Sequence, residues 1–197
     1  MGTSQPIRQK EALENFMDYY QTVHPSSRNY ALITLGLHTA LRISDILTLL
    51  WMDVYDFERK CYRNHLFLQE KKTGKRTVIA LNVHAKDALE HYKRERPDVA
   101  PSDYIFTKRT NYTAPLCRSQ AFRIIKQAAE QALHEEHISC HSLRKTFGYH
   151  AWKQGTPPAL LMDIYNHSSY MVTKKYLGIE QDERDSLFMQ IDFSYKK

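Results

Sequence analysis

Cysteine is scarce in this chain: Cys61, Cys117 and Cys140 are scattered and odd in number. A disulfide scaffold needs pairs, so the count excludes one and points to a reducing compartment, the cytoplasm. No apolar run approaches the roughly 18 to 20 residues that a membrane span requires. The opening MGTSQPIRQKEALENF lacks the apolar centre of a secretory signal, and Pro6 stands where a myristoylation signal takes Ser or Thr. Secretion and membrane anchoring are set aside on these grounds. Glycine is scarce too, with six residues and no phosphate-cradling Walker or dinucleotide loop, so ATP and NAD chemistry have no support. A Gly-x-Ser-x-Gly elbow, an HExxH pair and a Cys-x-x-Cys are all missing. The run His134-Glu135-Glu136-His137 before Cys140-His141 comes nearest to a metal cluster, but its spacing is wrong and it reads as a solvated helix end. No metal and no cofactor is expected.

What is present suits one domain. At 197 residues and 23.2 kDa there is room for a single core, and two would be a squeeze. Hydrophobic residues make up 42% and charged residues 25%, a composition that packs. Lys and Arg number 28 against 22 Asp and Glu, giving a net +6. That moderate basic excess suits a polyanionic partner, although many solvated surfaces carry as much.

Hydrophobic periodicity reads as mostly helical. Residues 7–22 place Ile7, Ala12, Leu13, Phe16, Tyr19 and Tyr20 at helical spacing. An apolar helix follows Pro25-Ser26-Ser27 over 28–40, and another begins near Ser44, with Asp45 in its first turn. Over 60–81 the period changes: HLFLQE and RTVIAL are β-prone runs joined by Lys71-Lys72-Thr73-Gly74-Lys75, a hairpin with glycine at the turn. CYRNHLF extends the first strand and Tyr104-Ile105-Phe106 adds a short third. A helix over 84–95 stops before Pro97, and an Ala-rich one runs from Ser119 to Glu136. Helices at 141–154, 157–165, 169–176 and 180–190 complete the chain, broken at Gly155-Thr156-Pro157-Pro158 and Asn166-His167-Ser168. The expected class is α+β, mainly α with a small antiparallel sheet in the first half and no internal repeat.

Several clusters could carry chemistry, and each has a bland reading beside the functional one. His141 and Arg144, three apart at a helix start, share a face on which imidazole and guanidinium converge on one small group. Alone, such a pair is more often a capped helix with a surface ion pair. Arg42 ends a strongly apolar helix, where a charge is costly unless paired or functional, and Asp45 is spaced to orient it. A structural ion pair and a functional cation weigh equally there. The hairpin tip from Lys71 to Arg76 holds four cations that suit a phosphate backbone, or a solvated edge. Tyr176 follows His167 by nine residues, flanked by Lys174 and Lys175, whose charge favours a phenolate.

Taken in order, Arg42 within TALRISDILTLLWMDV, a hairpin lysine, His141-x-x-Arg144, His167 and Tyr176 resemble the catalytic domain of the tyrosine recombinases, the phage-integrase family. The likeness covers most of the chain, from about Arg28 to Gly178. By that resemblance Arg42 and Arg144 match the arginines that clamp the scissile phosphate, and His141 matches a candidate acceptor for the tyrosine proton. His167 matches the second histidine, on a phosphate oxygen, and Tyr176 matches the nucleophile. Lys72 best matches the hairpin lysine that protonates the leaving 5′-oxygen, with Lys71 and Lys75 still in play. Asp45 matches the acidic residue three after the first arginine. Where the family often has Leu-Gly-His, this chain has Tyr165-Asn166-His167, and Asn tolerates the left-handed backbone that glycine supplies.

The resemblance implies a site-specific DNA recombinase or integrase of the kind mobile genetic elements use. It would cleave and rejoin double-stranded DNA through a 3′-phosphotyrosine that conserves bond energy. Residues 1–25 form a lead-in helix, 26–178 the catalytic core and 179–197 a C-terminal helix and tail. Many members carry an N-terminal DNA-clamping domain that is absent here, so the chain is either an excised catalytic domain or a small fimbrial-switch-like recombinase. Lys71, Lys75, Arg76, Arg118, Arg123 and Lys126 are candidates for duplex contact, each against a solvated-face reading. Leu187, Phe188 and Ile191 dock on a neighbouring protomer of a DNA-bound tetramer or fold back on their own domain. The rivals are a catalytically silent DNA-binding regulator and a type IB topoisomerase-like enzyme.

Overall fold

A strongly apolar stretch near the N-terminus becomes the spine of the molecule. In the computed structural model, which describes residues 4–108, 111–134 and 137–192, helix α2 (Ser27–Thr39) buries Ala31, Leu32, Ile33 and Leu35 completely. A helix with so many buried apolar residues has to be covered on more than one side. Helix α5 (Val83–Arg94), capped by Asn82 accepting from the Ala85 amide, covers one flank, and α7 (Cys140–Lys153) covers another. Gly36 makes the second approach possible: a Cβ there would stand 2.5 Å from Leu143 Cδ1.

Ahead of the spine, α1 (Lys10–Asp18) runs into a π-helical turn over Tyr19–Val23. The helix expected from residue 7 therefore starts three residues late. Ile7 is buried in extended backbone instead, donating its N–H to Thr146 Oγ1 at 2.8 Å, with its carbonyl 3.0 Å from His150 Nε2. Arg8 continues this strap, giving Nη1 to both oxygens of Asp182 at 2.9 and 3.0 Å and Nη2 to the Gly178 carbonyl at 2.7 Å.

After the spine come two single-turn helices, α3 (Ile43–Ile46) and α4 (Trp51–Val54), where a longer helix from Ser44 was expected. Leu47 and Leu49 are drawn into the core, and the backbone bonds across to 103–105 rather than along a helix: Trp51 N donates to Asp103 O and Ile105 N to Leu49 O.

The small sheet is three separate two-stranded ribbons among the described residues. Strands β1 (Tyr55–Asp56) and β2 (Cys61–Tyr62) pair with each other, so CYR does not extend the next strand. Tyr62 is held there by the Tyr55 ring, 5.1 Å away and edge-on, and by Glu90. The expected hairpin is β3 (His65–Gln69) and β4 (Arg76–Ala80), registered from His65↔Ala80 to Gln69↔Arg76, with Gly74 at φ 69°. Tyr104-Ile105-Phe106 is not a third strand of it. Ile105 and Phe106 are wholly buried in the core, and β5 (Thr107–Lys108) then pairs with β6 (Asn111–Pro115).

Helix α6 (Arg118–Ala132) ends earlier than the Ala-rich pattern predicted, with His134 left-handed at φ 54°. Glu135 and Glu136 lie outside the described residues. Helices α8 (Pro158–Tyr165), α9 (Tyr170–Leu177) and α10 (Glu180–Gln190) follow close to their expected bounds. The class is α+β, mainly helical with small antiparallel sheets. No helix among the described residues is long and apolar enough to cross a membrane.

A second apolar cluster, Tyr149, Leu161, Tyr165, Leu177 and Ile179, packs α7 against α8 and α9. Gly148 sits at its closest point, where a Cβ would lie 2.6 Å from Leu177 Cδ2 and closer still to the Tyr165 hydroxyl. Gly148→Ala is therefore expected to destabilise the fold by about 1–3 kcal/mol through overpacking, read as a lowered urea midpoint. An unchanged midpoint would mean that this contact relaxes freely.

Candidate active site

Arg144 is the most constrained of the candidate residues. It lies on α7 at 4% exposure, and a buried guanidinium must find acceptors. Its Nη1 donates to the Ala40 carbonyl and its Nη2 to the Ile164 carbonyl at 3.2 Å, while its plane lies 4.6 Å over the Tyr165 ring. Ala40 ends α2 in a left-handed conformation at φ 53°, a rare state for a residue with a Cβ and the kind of strain that collects at functional sites. The spine thus ends by presenting a carbonyl to Arg144.

Arg42 caps the start of α3. Its partner is Glu70, at 2.6 Å, not the Asp45 that the spacing suggested. Glu70 is 4% exposed and also accepts from the Thr73 hydroxyl at 2.7 Å, so one carboxylate ties Arg42 to the hairpin loop. Burial opposes its ionisation, but Thr73 and Arg42 together hold its carboxyl below the usual carboxylate range. Asp45 is buried and takes the Lys71 backbone N–H at 3.1 Å, anchoring the same loop from the other end.

A cleft of about 390 Å³ is lined by Arg42, Lys71, Lys72, Arg118, His141 and Arg144. A larger one of about 740 Å³ opens between α2, α5 and β5 and contains none of the candidate catalytic residues. Convergence of charge, not size, marks the site. Lys75 and Arg76 border neither cleft but a groove on the other side of the hairpin, where Lys75 pairs with Asp163 at 2.7 Å. Arg118, Arg123 and Lys126 are all carried by α6. Arg118 reaches the cleft, Arg123 is exposed on the outer face, and Lys126 pairs with Glu130 at 3.2 Å.

Tyr176 on α9 does not line this cleft but lies beside Arg144. Its ring lies 5.2 Å from that of His167 and 5.3 Å from that of Tyr165. Burial pushes its phenol above the ordinary range, while Arg144 and Arg42 pull it down. The flanking lysines do not do this. Lys174 pairs with Glu183 at 3.1 Å and covers Tyr170, whereas Lys145, which the sequence reading passed over, lies 5.2 Å over the Tyr176 ring. His167 follows Asn166, left-handed at φ 54°, and its Nδ1 is 3.0 Å from Thr173 Oγ1, which leaves Nε2 for a ligand. His141 and His167 both titrate below the ordinary imidazole value, first through desolvation and then through neighbouring cations: Arg118, Lys145, Arg144 and Lys72 for His141, Arg144 and Arg42 for His167.

At α10, Asp182 and Glu183 are bound to the body. Leu187, Phe188 and Ile191 stay exposed at 58%, 74% and 49%, so the fold-back alternative is not adopted.

A phenol against two guanidiniums, with two imidazoles and an ammonium-lined cleft beside them, is equipped for covalent phosphoryl transfer to tyrosine without a glycine-rich phosphate loop. The chain as a whole is similar to known proteins. The phage integrase family model matches residues 7–183. The probable integrase/recombinase YoeC of Bacillus subtilis (strain 168) is 37% identical over 182 residues, covering 92% of this chain and 93% of YoeC. The type 1 fimbriae regulatory protein FimE of Escherichia coli (strain K12) is 29% identical over 153 residues, 76% of this chain and 74% of FimE. In fold, the XerH site-specific recombinase bound to palindromic difH substrate matches 96% of this chain and 54% of XerH, with a TM-score of 0.74 at 19% identity. The chain belongs to the phage integrase family, the tyrosine recombinases.

The depressed histidines carry a pH consequence. Between the ordinary imidazole value, about 6.5, and the lower folded values, the unfolded chain binds more protons than the folded one. Stability therefore rises with pH through that window and is lost as pH falls. Urea midpoints between about pH 5 and 7.5 should show this slope, flattened when His141 and His167 are both changed to Asn. Stability that grows on acidification would contradict it.

Proposed function

We propose that Tyr176 attacks a DNA phosphodiester and that this recombinase exchanges strands through a 3′-phosphotyrosine. The single observation that carries the reading is the position of the Tyr176 phenol against Arg144 and Arg42, with His167 packed edge-on to its ring. In the attack the Tyr176 oxygen bonds to phosphorus, the bond from phosphorus to the 5′-oxygen breaks, and charge builds on the non-bridging oxygens. Arg42, Arg144 and His167 stabilise that charge. His141, neutral at pH 7 because its imidazole titrates low, accepts the phenol proton. Lys72 gives a proton to the leaving 5′-oxygen. Of the hairpin lysines, Lys71 and Lys72 border the cleft and Lys75 does not, which favours Lys72 over Lys75. Bond energy stays in the phosphotyrosine, so rejoining to a second strand draws on neither ATP nor a metal.

The duplex lies across the cleft, with Arg118 and the outer face of α6 towards its backbone. The apolar residues Leu187 and Phe188 of α10, with Ile191 just past its end, dock on a neighbouring protomer in a DNA-bound tetramer, because a solvated surface rarely leaves so many large apolar side chains together. Residues 26–178 act as one catalytic unit in the cytoplasm.

Covalent trapping tests the reading. Wild type is incubated in EDTA, without ATP, with a randomised duplex pool bearing bridging 5′-phosphorothiolates. An SDS-resistant protein–DNA band is expected from wild type and not from Tyr176→Phe. Arg144→Gln should form the band about 10²–10³-fold more slowly, the usual loss for one preorganised donor. Binding of duplex with no covalent band would favour the silent regulator; on an all-oxygen duplex, rejoining only of the original strand would favour the topoisomerase-like enzyme.

A further inference from the structure

The hairpin that carries Lys72 is fastened on one side by buried groups. Arg42 and Thr73 meet on Glu70, and the Lys71 amide is held by Asp45. On its other side it stands off the body. A groove of about 480 Å³, lined by Val78, Phe147, Leu160 and Ile164 among others, separates β4 from α8. Across that groove Lys75 Nζ reaches Asp163 Oδ1 at 2.7 Å, joining positions 88 apart in the chain. Among the described residues, no other side-chain hydrogen bond or ion pair connects the hairpin to α8. The turn of α8 that holds Asp163 also gives the Ile164 carbonyl to Arg144 and leads directly to His167.

We propose that Asp163, acting through Lys75, is a positioning residue for Lys72: the ion pair latches the hairpin loop against α8 and so holds the Lys72 ammonium at the cleft. This rests on the reading of Lys72 as the proton donor given above. In the latched state the loop is referenced to the same helix turn that steadies Arg144 and His167, so the leaving-group side and the phosphate side of the site move together. With the pair broken, the loop keeps only its anchors at Glu70 and Asp45 and swings towards solvent. The charge of Lys75 is spent on the latch and not on a phosphate. The side chains of Lys75 and Asp163 are 39% and 71% exposed, and an exposed pair of this kind is weak and screened by salt. Such a contact opens and closes readily, which a loop that admits and releases DNA requires.

The test separates the latch from the chemistry. Proton donation matters for an oxygen leaving group and not for a thiolate, which departs unprotonated. Single-turnover cleavage is compared on a nicked duplex of the sequence that wild type captures, in its normal form and with a bridging 5′-phosphorothiolate. Asp163→Asn should slow the oxygen duplex up to about fivefold at low salt, the most an exposed ion pair supplies, and leave the thiolate duplex unchanged. Lys72→Ala should show the same pattern more strongly, and the exchange of charges in Lys75→Asp with Asp163→Lys should restore the oxygen rate. Equal slowing of both duplexes by Asp163→Asn, or no slowing, overturns the proposal. Equal slowing of both by Lys72→Ala instead overturns Lys72 as proton donor. Hydrogen exchange, which needs no DNA, is the second measurement: Asp163→Asn should quicken exchange at the amides of residues 70–75, with α7 unaffected. Unchanged exchange there overturns the latch whatever the enzyme does.

Discussion

A buried guanidinium that must be satisfied organises this molecule. Arg144 is sunk among α2, α7 and α8, and it is held by two main-chain carbonyls and the face of Tyr165. Carbonyls can orient a guanidinium without neutralising it, so the positive charge stays available to a ligand. An ion pair at this place would cancel that charge. The cost of burying it falls on the surrounding fold, and the strained backbone at Ala40 is where part of that cost is visible.

The other cations are arranged around this point by different means. Arg42 is paired with Glu70, which ties its guanidinium to the hairpin loop. Lys145 stands over the Tyr176 ring and gives its ammonium to the Ser4 carbonyl at 2.7 Å, linking the N-terminal strap to the surroundings of Tyr176. Arg8, on the same strap, fixes the junction between α9 and α10. The environment of Tyr176 therefore depends on residues at both ends of the chain, and not only on the neighbours that its local sequence supplies.

How much of this could be read beforehand divides along sequence distance. The hairpin followed from two β-prone runs and a glycine, and the bounds of α8 and α9 from proline, glycine and Asn166, because those signals are local. The short pairing of β1 with β2 has no period to detect, and the longer helix expected from Ser44 gave way to burial of Leu47 and Leu49. The candidate site residues came as an ordered set through family resemblance, since each motif alone was weak. Glu70, Lys145 and Asp163 were missed for one physical reason: their partners lie far away in the chain, 28 residues for Glu70 with Arg42 and 88 for Asp163 with Lys75. Asp45 was found but given the wrong partner, because spacing identifies neighbours on a helix and the chain there is a single turn.

The measurement that bears most directly on the account is identification of the residue that carries DNA. Mass spectrometry of a trypsin-digested, nuclease-trimmed covalent complex would do it. Trypsin places Tyr176 in the peptide 176–184 and both Tyr165 and Tyr170 in the peptide 154–174, so the neighbouring phenols are told apart. A 3′-phosphonucleotide is expected on the peptide 176–184. Attachment to the peptide 154–174, or a link through a 5′-phosphate, would contradict it.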